Sequence, residues 1–438
     1  MAVSADVSRL QAAAPDYARE MELYQKRNFA LLVLDGACFA FAISLLSETT
    51  IIPAFVQALS GSTLLVGLVA ATFAVGRYLP QLVGAHLVQG RSRRKPLLLA
   101  IVLAERVGIL AIAIAAQLIG VIDDSAVLVL FFIAFCGYAI TTGLIGPVYG
   151  DFVAKSLTRG RGVFFGTVQL LGGLLGFSAA MVAEYIIKTS PFPTGNQLCF
   201  WISFGLSFLS IAFVASLREI PYPHVQPRGR FWATVASIPG LLAENDAYRQ
   251  FLAARIMFAL ATCGVGFVVV DGMSDVLALS DAALLAAVFI FSQATLGFAL
   301  GVLGNYFGWK LIVFLGGCLV AVGMSGALLA HSLPAYVVIF IALGGANAVT
   351  VIGDPNMSIE MAPAERTSLY LGTTSTLLAP FFIFGPLIAG ALIDVVGYDA
   401  IFATALAFAV VGMALALRMP EPRKIVKPDA VGQPGAIP

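Results

Sequence analysis

The chain has 438 residues, 60% of them hydrophobic and only 11% charged, with a mean hydropathy of +0.95. No soluble core needs that much apolar surface, so the composition points to membrane spans. The formal net charge is +1, which argues against nucleic acid as a partner.

Residues 1–27 have no apolar core of the kind a cleaved secretory signal carries, and read as a cytoplasmic tail. Twelve apolar runs follow, near 29–55, 63–87, 96–118, 126–149, 162–187 and 198–217, then 250–271, 282–303, 309–330, 334–353, 369–392 and 399–417. Each can cross the hydrocarbon as a helix, which takes about 20 residues. Lipid offers no partner to unpaired backbone groups, so the expected class is an all-α membrane protein with twelve transmembrane helices.

The first run contains Asp35 and Glu48 and the second Arg77. Asp35 lies about 10 Å from the inner end and Arg77 about 16 Å, at about 1.5 Å per residue. The third run holds Glu105 and Arg106 at a similar depth. Neighbouring side chains on a helix point about 100° apart, so these two are expected to find partners on other helices. Ionisable groups inside spans are costly and are candidate functional groups. Either Asp35 and Arg77 line a pathway and couple protons, or all four lock the first half as a structural ion network. For Glu105 and Arg106 the structural network is the preferred reading. Glu48 reads as an outer-gate acid or an interfacial group.

Between the second and third runs lies GAHLVQGRSRRKPLLL, from Gly84, with Arg91, Arg93, Arg94 and Lys95 within five residues. The fourth run carries Tyr138, Thr141, Thr142 and Tyr149 at helical spacing, and the fifth carries Gln169. Such polar stripes either face a cavity or join helices. After the sixth run, residues 218–249 form a linker. It opens with prolines and continues as FWATVASIPGLL, expected to be a short interfacial helix on the cytoplasmic surface.

In the second half, Arg255 sits a third of the way into its run, as an anion-binding group or snorkelling to the surface. Ser292 and Gln293 mark the eighth run, and Asn347, Thr350 and Asp354 the tenth. Residues 419–438 are polar and proline-rich, and read as a disordered cytoplasmic tail. Of the 25 lysines and arginines, Arg77, Arg106 and Arg255 lie deep inside runs and only Lys188 in a loop opposite the N-terminus. By the positive-inside rule both termini are expected in the cytoplasm.

The two halves repeat. GVLGNYFGWKLIVFLG, from Gly301, matches the stretch from Gly84, with Gly308 for Ser92 and Lys310 for Arg94. GPVYGDFVAKSLTRGRGVFFG, from Gly146, is echoed by GDPNMSIEMAPAERTSLYLG, from Gly353. The expected architecture is therefore two pseudo-symmetric six-helix bundles, 28–217 and 250–418.

At these residues the chain resembles major facilitator superfamily transporters, in a bacterial permease branch of unassigned substrate. The family pattern between helices two and three is a glycine, an aspartate, a glycine and paired cations. Ala85, Gln89, Ser92, Arg93 and Arg94 stand in those places here, and Gly301, Asn305, Gly308 and Lys310 in the copy. The resemblance implies that these residues form a cytoplasmic gate. Gln89 and Asn305 replace a family aspartate and can hydrogen-bond without charge. It further implies that helices one, four, seven and ten line the pathway. The buried charges and polar stripes give the candidate substrate and cavity set Asp35, Arg77, Tyr138, Thr141, Thr142, Gln169, Arg255, Gln293, Asn347 and Thr350, with Asp35 and Glu48 coupling protons.

There is no G-x-x-x-x-G-K-[ST] loop, so ATP is not expected to drive the protein. No nucleophile elbow is present, and an embedded enzyme is disfavoured. The five cysteines and three histidines lack metal-ligand spacing, so no metal or cofactor is expected. The resulting expectation is a secondary transporter of a small molecule by alternating access, proton-coupled, with a slight preference for an organic anion or amphipathic compound. The alternative is a transporter-like sensor or assembly factor without transport.

Overall fold

A computed structural model describes residues 15–422, apart from residues 49, 158, 224, 226–228, 278 and 364. Twelve helices among them are long and apolar enough to cross a membrane. In chain order they are α1 Pro15–Ser60, α2 Leu64–Val88, α3 Lys95–Gln117, α4 Asp124–Ser156, α5 Arg161–Thr189 and α6 Thr194–Ser216. The second six are α7 Asp246–Gly272, α8 Leu284–Phe307, α9 Trp309–Ala327, α10 Leu333–Met361, α11 Thr367–Ile393 and α12 Val395–Arg418.

The helices start and stop where the local chemistry dictates. Ser62, Asp123 and Asn245 accept the backbone N–H of Leu65, Ser125 and Tyr248 at 3.4, 3.1 and 3.0 Å, satisfying donors that have no intrahelical partner. Pro96 sits in the first turn of α3, where its missing N–H costs nothing. At the start of α12 the chain turns at Gly397, whose φ of 81° suits a residue without Cβ.

Three helices outrun their apolar stretches. α1 begins at Pro15, α4 continues to Ser156 and α10 to Met361. Hydropathy marks only the part in hydrocarbon, and these helices project beyond it. α1 is also broken between Leu46 and Ile51, where the Ser47 and Thr50 hydroxyls lie 2.6 Å apart. Glu48 therefore sits in a bend rather than on a straight helix. α2 is interrupted at Leu79-Pro80, and the Gln81 amide donates to the Arg77 carbonyl at 3.1 Å.

Both ends of the described chain reach the same face, the terminal face, where Tyr17 donates to the Lys155 carbonyl and Glu421 lies against Gly308. The halves meet through α5 with α8 and α2 with α11. Their closest approach is on the terminal side. A Cβ on Gly162 would sit 2.3 Å from the Gly301 carbonyl oxygen, so only glycine lets α5 and α8 touch there. α11 packs mainly on the Gln81–Val88 end of α2, where Ser368 donates to the Ala85 carbonyl at 3.2 Å. Towards the opposite face the same helices expose Leu68, Met181, Phe291 and Leu387. The halves thus close tightly against each other at the terminal face.

The linker differs from the expected interfacial helix. It forms two short helices, Phe231–Ala236 and Ile238–Glu244. Leu241 is buried in a core shared with Leu82, Tyr248 and Leu369, with Phe231, Val235 and Ile238 packed against it. Its apolar face is spent on the protein seam, and only Trp232 is left strongly exposed. The linker's His224 and most of the C-terminal tail lie outside the described residues.

Candidate functional site: buried charges and the closed face

In the first half the ionisable residues of α1 and α3 converge against α4 and α6. Glu105 and Arg106 form an ion pair with each other, in addition to the partners that each finds on another helix. Both side chains are long enough to swing into one interhelical gap despite their diverging Cα–Cβ bonds. Arg106 also donates to the Ser207 carbonyl at 3.1 Å and the Ser210 hydroxyl at 3.0 Å, and its guanidinium lies 4.2 Å from the Phe39 ring centroid. Thr142 donates to Glu105 at 2.8 Å. The pair is thereby fully engaged.

Asp35 is a third buried charge beside this pair. It is 8% exposed, and one of its carboxyl oxygens has no hydrogen-bond partner among the described residues. The charged groups acting on it are Arg106 and Glu105, not Arg77. Arg77 lies elsewhere, its guanidinium 5.9 Å from the centroid of Phe73, exposed and in no ion pair among the described residues. Its chain neighbour Tyr78 stacks on Phe382 of α11 across the seam, at 5.7 Å. Glu48 and Arg77 are both among the charges around the Tyr138 hydroxyl.

Tyr138 itself is only 2% exposed, packed between Phe73 and Phe135. The polar stripe of α4 is therefore not a cavity face at this residue, because its ring completes an aromatic core. Thr141 bonds back to the Gly137 and Tyr138 carbonyls, both at 2.9 Å. Gln169 sits at the α5–α8 contact, beside Gly297.

In the second half Arg255 neither snorkels nor stands free. Its Nε lies 2.6 Å from Asp354 Oδ1, and its Nη2 donates to Asp354 Oδ2 at 2.8 Å and Thr350 at 3.0 Å. Arg255 is 4% exposed and Asp354 8%, so α7 and α10 share a buried two-point ion pair. On the same α10 stripe, Asn347 donates to Gln293 of α8 at 2.9 Å, while Ser292 donates to the Ile341 carbonyl at 2.6 Å. Neither Asp354 nor Arg255 alone signals the pairing in sequence, since 99 residues separate them.

The terminal face carries a second set. Arg94 reaches Asp151 of α4 at 3.1 Å, and Lys155 reaches the same carboxylate at 2.6 Å. Both cations lie over the Tyr222 ring, at 5.3 and 5.2 Å. Tyr222, on the linker, donates to Glu365 beyond α10 at 2.9 Å and its N–H to the Ser92 carbonyl at 2.9 Å. Glu219 accepts the N–H groups of Arg94 and Lys95, capping α3. Burial pushes the Glu219 carboxyl above the usual carboxylate range, against those bonds and the nearby Arg94 and Arg93. Arg93 is exposed. Gln89 accepts from Thr234 of the linker at 3.4 Å, and His86 pairs with the same hydroxyl at 2.9 Å. In the copy, Asn305 accepts the Gly162 N–H at 3.1 Å, and Lys310 donates to the Leu417 carbonyl at 2.8 Å. Asp151, Glu219, Tyr222 and Thr234 were not singled out by sequence; only the cations they serve were.

The sequence model of the Major Facilitator Superfamily matches residues 270–437. No curated protein matches the chain by sequence. Solved structures match it along its length. The human organic anion transporter MFSD10 (TETRAN) is 14% identical, with a TM-score of 0.71, over 90% of this chain and 99% of that one. The fucose:proton symporter FucP of E. coli is 16% identical, with a TM-score of 0.68, over 90% and 98%. An outward-facing bacterial homologue of the iron transporter ferroportin is 13% identical, with a TM-score of 0.66, over 90% and 99%. At such identities the likeness establishes the fold, and the fold is that of the major facilitator superfamily.

Proposed function

We propose that this chain, a multi-pass membrane protein of major facilitator fold, is a proton-coupled secondary transporter of a small organic anion or amphipathic compound. It works in a bacterial inner membrane with the terminal face in the cytoplasm. Residues 28–217 and 250–418 rock against each other about a central site, joined by 218–249 and flanked by the tails 1–27 and 419–438. On this reading the arrangement closed at the terminal face is the outward-open one.

One observation carries the substrate class. Arg77 is a cation inside a span, exposed and without an ion pair among the described residues, beside the seam between halves. An arginine in that position is costly unless it faces a water-filled cavity, where it attracts an anion. Arg255 is already neutralised by Asp354 and reads as the weaker anion site. Asp35, buried beside an engaged ion pair and lacking a cation of its own, is the proton carrier. The similar human organic anion transporter and the fucose:proton symporter lend support to both halves of the reading.

The test is transport by purified protein in liposomes. Small organic anions that raise the melting temperature, as a ligand specific to the folded state must, are offered with an inward proton gradient. Accumulation that collapses with the gradient supports the reading. A protein that binds such ligands yet shows neither accumulation nor counterflow overturns it in favour of a sensor.

A further inference from the structure

A groove of about 440 Å³ opens at the terminal ends of α1, α3 and α6, lined by Glu20, Tyr24, Arg93, Lys95, Arg218 and Glu219. It is separate from the seam between the halves. Its floor is fixed. Lys95 Nζ donates to the Ala215 and Leu217 carbonyls at 2.5 and 2.8 Å, and Arg27 donates to the Ser216 carbonyl at 2.9 Å, both at the end of α6. The Arg218 guanidinium lies 5.9 Å from the Tyr24 ring centroid. Arg93 and Arg218 are exposed. Of the two acids, Glu219 is committed to capping α3, which leaves Glu20 alone against Arg93, Lys95 and Arg218.

The level of the groove is the boundary of the bilayer. Tyr24 lies five residues before the apolar run that begins at Phe29, Lys95 is the first residue of α3, and Arg218 follows the end of α6 at Ser216. Deeper along the same helices, Leu103, Val107, Phe208 and Leu209 are exposed. A cationic groove at headgroup depth, continued by apolar surface, matches an amphiphile with an anionic head. Guanidinium groups bind phosphate oxygens through charge-assisted hydrogen bonds, and a tyrosine at headgroup level is a common interfacial anchor.

We propose that this groove binds the phosphodiester headgroup of an anionic phospholipid from the terminal-face leaflet, held chiefly by Arg93 and Arg218 over Lys95. The site depends on membrane insertion and not on what the protein transports. It fastens the terminal end of α1 to those of α3 and α6, and so holds the first half as one body.

The probe is native mass spectrometry of the full-length protein with dioleoyl phosphatidylglycerol, dioleoyl phosphatidylcholine and glycerol 3-phosphate, each titrated separately. Phosphatidylglycerol should bind more tightly than phosphatidylcholine. At about 1 kcal/mol per cation at a membrane surface, the double variant R93Q/R218Q should bind phosphatidylglycerol about thirtyfold more weakly, with phosphatidylcholine unchanged. R93K/R218K should keep most of the affinity, which separates lost charge from lost fold. R249Q, which removes a cation of the second half, should behave as the wild type. Equal retention of the two lipids, or an unaffected R93Q/R218Q, overturns the site. Glycerol 3-phosphate binding as tightly as the lipid overturns the membrane as its source.

Discussion

Asn305 of α8 accepts the backbone N–H of Gly162, in the first turn of α5, at 3.1 Å. A residue of the second half thus caps a helix of the first half, across the seam. Its counterpart Gln89 serves α11 differently. Its amide oxygen turns to Thr234 of the linker, and the α11 start is held instead by Ser368 on the Ala85 carbonyl. The two pseudo-symmetric contacts are therefore built unequally, one direct and one routed through the linker.

Losing the Asn305 cap should favour opening of the terminal face. A side-chain cap is worth about 1 kcal/mol, and this one exists only while the halves are closed. Asn305→Ala should shift the closed-to-open ratio about fivefold. Asn305→Asp should shift it the other way, since a carboxylate suits a helix N-terminus. Distances between spin labels on the terminal ends of α5 and α8 read both. Identical distributions in both variants would remove Asn305 from the latch.

Neutralising Arg93 and Arg94 together should impair alternation without abolishing insertion, because the other cations of the terminal face still set topology. Arg94 is the active member, through Asp151 at 3.1 Å and the Tyr222 ring. Arg94→Gln alone should therefore reproduce the transport defect of the pair, and Arg93→Gln should not. Gln89→Asp should act less than Asn305→Asp, since Gln89 contacts the linker rather than a helix start. Liposome transport rates of the four variants decide the order.

The Arg255–Asp354 pair should be more costly to break than to replace. Removing one partner strands a buried charge, at about 3–5 kcal/mol, whereas an apolar pair of similar volume can be neutral. Arg255→Leu should lower the melting temperature sharply, and adding Asp354→Leu should restore most of it. If the double variant melts as low as the single one, the pair is not the reason for the loss.

The twelve spans were legible because hydrocarbon imposes a length on every apolar run, and α3, α6, α7 and α9 begin or end within a few residues of the expected points. The projecting ends of α1, α4 and α10 were not, since hydropathy is silent outside the membrane. Among the charges, each of Asp35, Arg77, Glu105, Arg106 and Arg255 stood out alone by its cost in lipid. Their pairing did not, because Arg255 meets Asp354 and Arg94 meets Asp151 only through the packing of distant helices. The Glu105–Arg106 pair was hidden for the opposite reason: adjacency suggested divergence, and side-chain length overrode it. Tyr138 looked like a cavity residue because a phenol ring in a polar stripe reads the same whether it is wet or packed on Phe73 and Phe135.

The last prediction concerns Asp35. Its charged neighbours are Arg106 and Glu105 and not Arg77. Arg106 is held by Glu105, Ser207 and Ser210, so on the proposed reading Asp35 exchanges a proton without dismantling the pair. Asp35→Asn should leave the melting temperature within a degree or two of the wild type, because no ion pair is lost. It should keep substrate counterflow and abolish accumulation driven by a pH gradient. Arg77→Ala should do the reverse in part: counterflow of an anionic substrate falls, while folding is spared because no acid is stranded among the described residues. Exchanging Asp35 and Arg106 separates coupling from structure. A swapped protein that regains full proton-driven transport would show that the two act only as a pair, and Asp35 would lose its role as the proton carrier. A swapped protein that folds and exchanges substrate, but no longer responds to the gradient, leaves that role with Asp35.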